Sequence, residues 1–149
     1  MSTPQDRYRR YLENLSPETL AVLGDYVSPD VRFKDPFNDV RGVEAMRRVF
    51  LHLFENISAI RFTVKHMATD GNVCLMDWRF EGQLRGKPWS FDGASVVSFR
   101  ADGLVSEHID HWDAARDFYE HLPFIGWLLG RLRGRLAVRQ AGSSQQNRL

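Results

Sequence analysis

Near the carboxyl end of the last strand-like run, His108 and Asp110 stand two residues apart, with Trp112 two further on. Side chains alternate across a β-strand, so these three share a face with Leu104 and Ser106, against Val105, Glu107, Ile109 and His111. Neither set is wholly apolar. Alternation leaves two arrangements open: His108 and Asp110 toward solvent with Val105 and Ile109 packed inward, or polar groups enclosed. Enclosure would matter chemically. A carboxylate among apolar groups is hard to keep ionised, so its pKa rises toward values useful for proton transfer. A second carboxyl nearby separates the pair into one base and one acid. Asp35 is another carboxylate of note, and its place before Pro36 also suits a turn cap. A metal centre is not expected, because alternation sends His111 away from His108 and Asp110. Cys74 is the sole cysteine, which excludes an internal disulfide and suggests a small buried hydrophobe.

The elements that must position these groups are legible from periodicity. Tyr8, Tyr11, Leu12 and Leu15 recur at helical spacing over residues 4–14. Ser16-Pro17-Glu18-Thr19 predicts a second helix start, with Ser16 as N-cap and Pro17 at the first helical position, carrying Leu20, Leu23 and Val27. A short strand over 31–35 stops at Pro36, 37–39 reads as a loop, and 42–55 as a third helix with Val43, Met46, Val49, Phe50, Leu53 and Phe54 on one face.

After Asn56 the period becomes two. Four strands come next, joined by turns at Asp70-Gly71, Arg85-Gly86 and Asp102-Gly103. In the second of them Cys74, Met76, Trp78 and Phe80 form the bulky set. In the third, Trp89, Phe91, Gly93, Ser95, Val97 and Phe99 share a face. Helices bunched ahead of an antiparallel meander are the α+β signature.

At 149 residues, 43% apolar and 26% charged, the chain suits a single folded domain with a core of its own. Its net charge of +1 is uneven: residues 121–149 hold five arginines and no acid, leaving −4 for the first 120. That balance disfavours a nucleic-acid binder, whose surface would be basic throughout. The amino terminus lacks the apolar core of a secretory signal, so the cytoplasm is the expected compartment.

The run Tyr11-Leu-Glu, then Leu20 to Tyr26, then Val31-Arg-Phe-Lys-Asp35-Pro36-Phe37 resembles the ketosteroid isomerase and SnoaL-like branch of the nuclear transport factor 2-like superfamily, over roughly residues 5–120. The resemblance implies a cone-shaped half-barrel, a curved antiparallel sheet wrapped around the amino-terminal helices, enclosing a pocket for a small apolar or aromatic molecule. It commonly implies a homodimer formed through the sheet, and no cofactor. Carried over by position, Asp35 resembles the family's general base, Tyr11 its hydroxyl donor to substrate oxygen, and Trp112 its pocket tryptophan. The same alignment sends Trp78, Phe80, Ser95, Val97, His108 and Asp110 inward. Ser95 stands where the isomerases keep a second, protonated acid, which departs from their chemistry. Isomerase, cyclase or epoxide hydrolase activity is implied, with Asp110 sharing acid–base work with Asp35; a non-catalytic ligand-binding dimer is the alternative, since fold does not prove function.

Residues 121–138 read as a further amphipathic helix rich in leucine, rings and arginine, succeeded by a tail over 139–149. Gly126, Gly130 and Gly134 recur every four residues and would permit close helix approach. Packing on the domain or its mate and contact with a membrane surface are both open to this segment.

Overall fold

Thr3 accepts the Asp6 amide through its side chain at 3.0 Å and opens α1 (Pro4–Glu13), with Pro4 in the first turn, where its missing N–H costs nothing. Tyr8, Tyr11 and Leu12 lie on one face of α1, and all three are buried. The computed structural model describes residues 1–137; the tail expected over 139–149 and the end of the helix expected to reach 138 lie outside them.

The second helix differs from its expectation. Ser16 and Thr19 exchange caps, the Ser16 amide donating to Thr19 Oγ1 at 2.8 Å and the Thr19 amide to Ser16 Oγ at 3.2 Å. The element they open is a 3-10 helix, Thr19–Asp25, interrupted at Val22, and Val27 already belongs to the first strand. β-Branched Val22 and Gly24 are both poor helix formers. Leu20 and Leu23 are buried all the same.

Strand β1 (Val27–Lys34) starts four residues earlier than its pattern predicts, and the expected loop contributes a short β2 (Asp39–Arg41) antiparallel to it. Helix α2 (Val43–Asn56) buries Met46 and Phe50. The meander then forms as read: β3 (Ile57–Asp70), β4 (Val73–Leu84), β5 (Lys87–Phe99) and β6 (Val105–His111). The sheet order is β2-β1-β6-β5-β4-β3, and every pairing is antiparallel except β1 with β6, which is parallel. The six strands form a curved, unclosed sheet with helices, an α+β fold.

The two faces of the meander separate cleanly. Cys74, Met76, Trp78 and Phe80 of β4 and Phe91, Ser95, Val97 and Phe99 of β5 are buried, in one core with Tyr8, Tyr11, Leu12 and Met46. Opposite them, Lys65 lies 3.3 Å from Asp92 and 3.6 Å from Asp77, and Arg79 3.3 Å from Asp92. These pairs are solvated and add little stability.

Strand β6 breaks its alternation. Ser98 pairs with Glu107 and Phe99 with Val105, so Ser106 is an extra residue, a β-bulge. Val105 and His108 are therefore both buried, although strict alternation would set them on opposite faces.

Residues from Ala114 onward form a second compact unit. It holds α3 (Ala114–Asp117), a 3-10 turn at Tyr119–His121 and α4 (Ile125–Leu136), which begins four residues later than its pattern predicts. A side chain at Gly126 would collide with the Glu120 carbonyl, so α4 runs close against that segment, and Arg133 holds Glu120 through bonds of 2.7 and 3.1 Å. Gly130 and Gly134 do not act in the same way: a Cβ at either would meet nothing within 4 Å. Among the described residues no helix is long and apolar enough to cross a membrane.

Candidate active site

Register builds the site in layers. Parallel pairing sets Phe33 beside His108 and Lys34 beside Ile109, which brings Asp35, the next residue, level with Asp110. On the other side of β6, Val97 pairs with His108 and Ser95 with Asp110. Phe33, Val97 and His108 make a deep layer, each no more than 2% exposed. Asp35, Ser95 and Asp110 form the layer above it. Phe37 and Trp112 come next, their rings 5.4 Å apart.

Two strings of donors converge on one oxygen of Asp110. In the first, the Trp78 indole N–H donates to Ser95 Oγ at 2.8 Å, and the Ser95 hydroxyl donates to Asp110 Oδ1 at 2.5 Å. In the second, the Tyr8 hydroxyl lies 2.8 Å from His108 Nδ1, and His108 Nε2 lies 2.7 Å from the same Oδ1. Burial, assisted by the negative charge of Asp110, pushes the Tyr8 phenol well above its ordinary pKa, so it keeps its proton and donates it. His108 Nδ1 is then the acceptor and Nε2 carries the hydrogen directed at Asp110. The second oxygen, Oδ2, makes no hydrogen bond among the described residues, and the Asp110 side chain retains 18% of its exposure.

Asp35 plays the turn-cap part that its place before proline suggests. Its Oδ1 accepts the amides of Phe37 at 2.8 Å and Asn38 at 2.7 Å and the Asn38 side-chain nitrogen at 3.0 Å. Those bonds favour the carboxylate, yet its pKa stands above the usual value. Burial is the largest cause, and the nearby Asp110 charge adds to it. The cap and the electrostatic coupling coexist on one side chain.

Aromatic rings wall the site. Trp112 stacks on Phe91 at 4.4 Å, Phe91 on Phe80 at 5.0 Å, and Trp89 lies 4.8 Å from Phe91. Trp78 owes its position to Gly93, where any Cβ would overlap the indole ring. Beside the Asp35 turn a surface depression of about 290 Å³ is lined by Asn38, Val40, Ala45, Arg48, Val49 and His52; neither carboxylate lines it.

Of the residues singled out in the sequence, Asp35, Asp110, Ser95, His108 and Trp78 come together. Phe80 and Trp112 belong to the aromatic wall, and Val97 lies beneath it. Tyr11 is elsewhere: its hydroxyl donates to the Thr19 carbonyl at 3.0 Å, its ring stacks on Tyr26 at 4.0 Å, and burial pushes its pKa up to about 12. Tyr8, one turn earlier on α1, is the tyrosine that reaches the cluster. Periodicity places both on the buried face of α1 and carries no signal that separates them. Among the described residues no three metal-binding side chains converge.

The profile of the SnoaL-like domain matches residues 8–108. No curated protein matches the chain. Among solved structures, an NTF2-like protein of unknown function from Burkholderia pseudomallei is 18% identical, with a TM-score of 0.69 over 77% of this chain and 94% of its own. A SnoaL-like polyketide cyclase from Agrobacterium tumefaciens is 19% identical, with a TM-score of 0.66 over 76% and 93%. An LEH-like epoxide hydrolase from M. tuberculosis is 14% identical, with a TM-score of 0.63 over 92% and 93%. At these identities the likeness is one of fold.

Proposed function

The chain belongs to the SnoaL-like domain family, and from that premise we propose that it is an acid–base enzyme whose carboxylate pair, Asp110 and Asp35, adds water to an epoxide on a small apolar or aromatic molecule. The observation that carries this reading is the unequal treatment of two level carboxylates. Asp110 is held from one side by Ser95 and His108, with Oδ2 left over. Burial, with the Asp110 charge beside it, raises the proton affinity of Asp35. Asp110 suits the base and Asp35 the acid.

In the reaction, Asp110 Oδ2 takes a proton from water as its oxygen attacks one epoxide carbon. That C–O bond of the ring breaks, and Asp35 gives its proton to the departing oxygen, so the product is a diol. Proton exchange with solvent then resets the pair. The aromatic wall of Phe91 and Trp112 supplies the surface on which an apolar substrate would lie. Among the family's reactions this one asks least of the hydroxyls. Enolate chemistry needs a free donor for the developing oxyanion, while Ser95 is committed to Asp110 and Tyr11 to Thr19.

The test offers the protein apolar and aryl epoxides, such as cyclohexene oxide and styrene oxide, in ¹⁸O-labelled water. Diol carrying one ¹⁸O, lost in Asp110→Asn by about 10²–10⁴-fold, is the expected result. Saturable binding without turnover of any epoxide would favour the ligand-binding reading instead.

A further inference from the structure

Helix α4 carries its exposed side chains in two adjoining rows. Leu128, Leu132 and Leu136 recur every four residues, with Phe124 just ahead of the helix, and the four are 53, 47, 85 and 89% exposed. Trp127, Arg131 and Arg135 recur beside them, with Trp127 67% exposed and the Arg131 guanidinium 5.2 Å above its ring. On another side of the helix Gly126 lies against Glu120 and Arg133 is bound to the Glu120 carboxylate. Its outward half is thus an apolar strip edged by an aromatic ring and cations. Isolated exposed leucines need no explanation, but a continuous row does.

We propose that α4 is an interfacial helix that lies on an anionic lipid surface, with the leucine row among the acyl chains and Arg131 and Arg135 at the headgroups. Charge selects this occupant. Residues 121–149 carry five arginines and no acid, while the first 120 residues carry −4. An anionic surface would therefore attract this end of the chain and repel the rest. Two copies of α4 packed face to face would juxtapose Arg131 and Arg135 of each with no acid between them, so a second copy fits poorly. Twelve residues span only about 18 Å, short of a bilayer core but ample for lying in its plane. Trp127 beside the arginines is the residue type that prefers the boundary between headgroup and chain. The inference does not depend on the reaction proposed above.

Vesicle flotation of the full chain tests it. The protein should rise with phosphatidylglycerol-containing vesicles, stay down with pure phosphatidylcholine, and be released by high salt. Arg131→Gln and Arg135→Gln should each weaken binding by about fivefold. Leu128→Glu with Leu132→Glu should abolish it; if that pair disturbs the far-UV circular dichroism, Trp127→Ser should still weaken flotation severalfold in a folded protein. Failure of the wild type to float on anionic vesicles overturns the proposal. So does flotation that persists undiminished in the folded leucine or tryptophan variants. A wild-type oligomer that these substitutions disperse, with no flotation by either form, would likewise overturn it in favour of a second copy.

Discussion

Tyr8 and His108 are one hundred residues apart in sequence, yet the Tyr8 hydroxyl sits 2.8 Å from His108 Nδ1, and both side chains are shielded from solvent. This bond ties the first helix to the last strand and decides which imidazole nitrogen faces Asp110. Removing it in Tyr8→Phe should leave a buried ring nitrogen without a donor, at a cost of about 1–3 kcal/mol. Urea denaturation measures that cost. Histidine ¹⁵N spectra should show Nε2 protonated in the wild type and a mixture of tautomers in the variant. An unchanged ring spectrum would mean that Asp110 alone orients His108.

Asp35→Asn should keep the turn, because an amide oxygen can still accept the Phe37 and Asn38 backbone amides now bound to Oδ1, at the loss of the 3.2 Å bond from the Asn38 side chain to Oδ2. It also removes a buried charge. Since the folded pKa of Asp35 lies above its ordinary value, the protonated form favours folding. That contribution is complete below about pH 3.8 and is lost as pH rises through the folded value. The variant should therefore be at least as stable as the wild type at pH 7, and hold no such advantage near pH 3.5. Denaturation at the two pH values provides the check.

Asp110→Asn removes one of the influences that raise the Asp35 pKa. Asp35 should then titrate at lower pH, as monitored by its ¹³C carboxyl resonance. A titration that does not move would show the two carboxyls to be electrostatically independent and would undo the assignment of acid and base.

Gly93→Ala would drive a methyl group into the Trp78 indole. Relief requires the ring to shift, and the bond from Trp78 to Ser95 should be lost or lengthened. The expected penalty is about 1–3 kcal/mol, with a red shift in tryptophan emission as the ring loosens. Ser95→Ala should cost a similar amount by leaving the indole N–H unpaired, but without displacing the ring.

Much of the fold was legible in the chain because the signals were local. Period-two runs between Asp70-Gly71, Arg85-Gly86 and Asp102-Gly103 specify a meander, and the bulky sets of β4 and β5 point inward as their alternation requires. The site was less legible because its decisive relations are distant. Nothing near Asp35 announces a parallel partner seventy-odd residues later, and that pairing is what sets it level with Asp110. Tyr8 and Tyr11 share one residue type, one helix and one face, and only the tertiary packing distinguishes them. The 3-10 helix escaped for a related reason: the Ser16–Thr19 cap is a true start signal, but Val22 and Gly24 weaken what it starts.

The surplus serine at position 106 has a consequence for how the interior could have arisen. Counted outward from Val105 in strict twos, the inward places would fall to Glu107, Ile109 and His111; the added residue hands them to His108, Asp110 and Trp112 instead. Taking Ser106 away would restore strict twos with His108, Asp110 and Trp112 still following Val105 inward, so the bulge absorbs a whole inserted residue without turning either set over; an insertion taken up in phase would have reversed them.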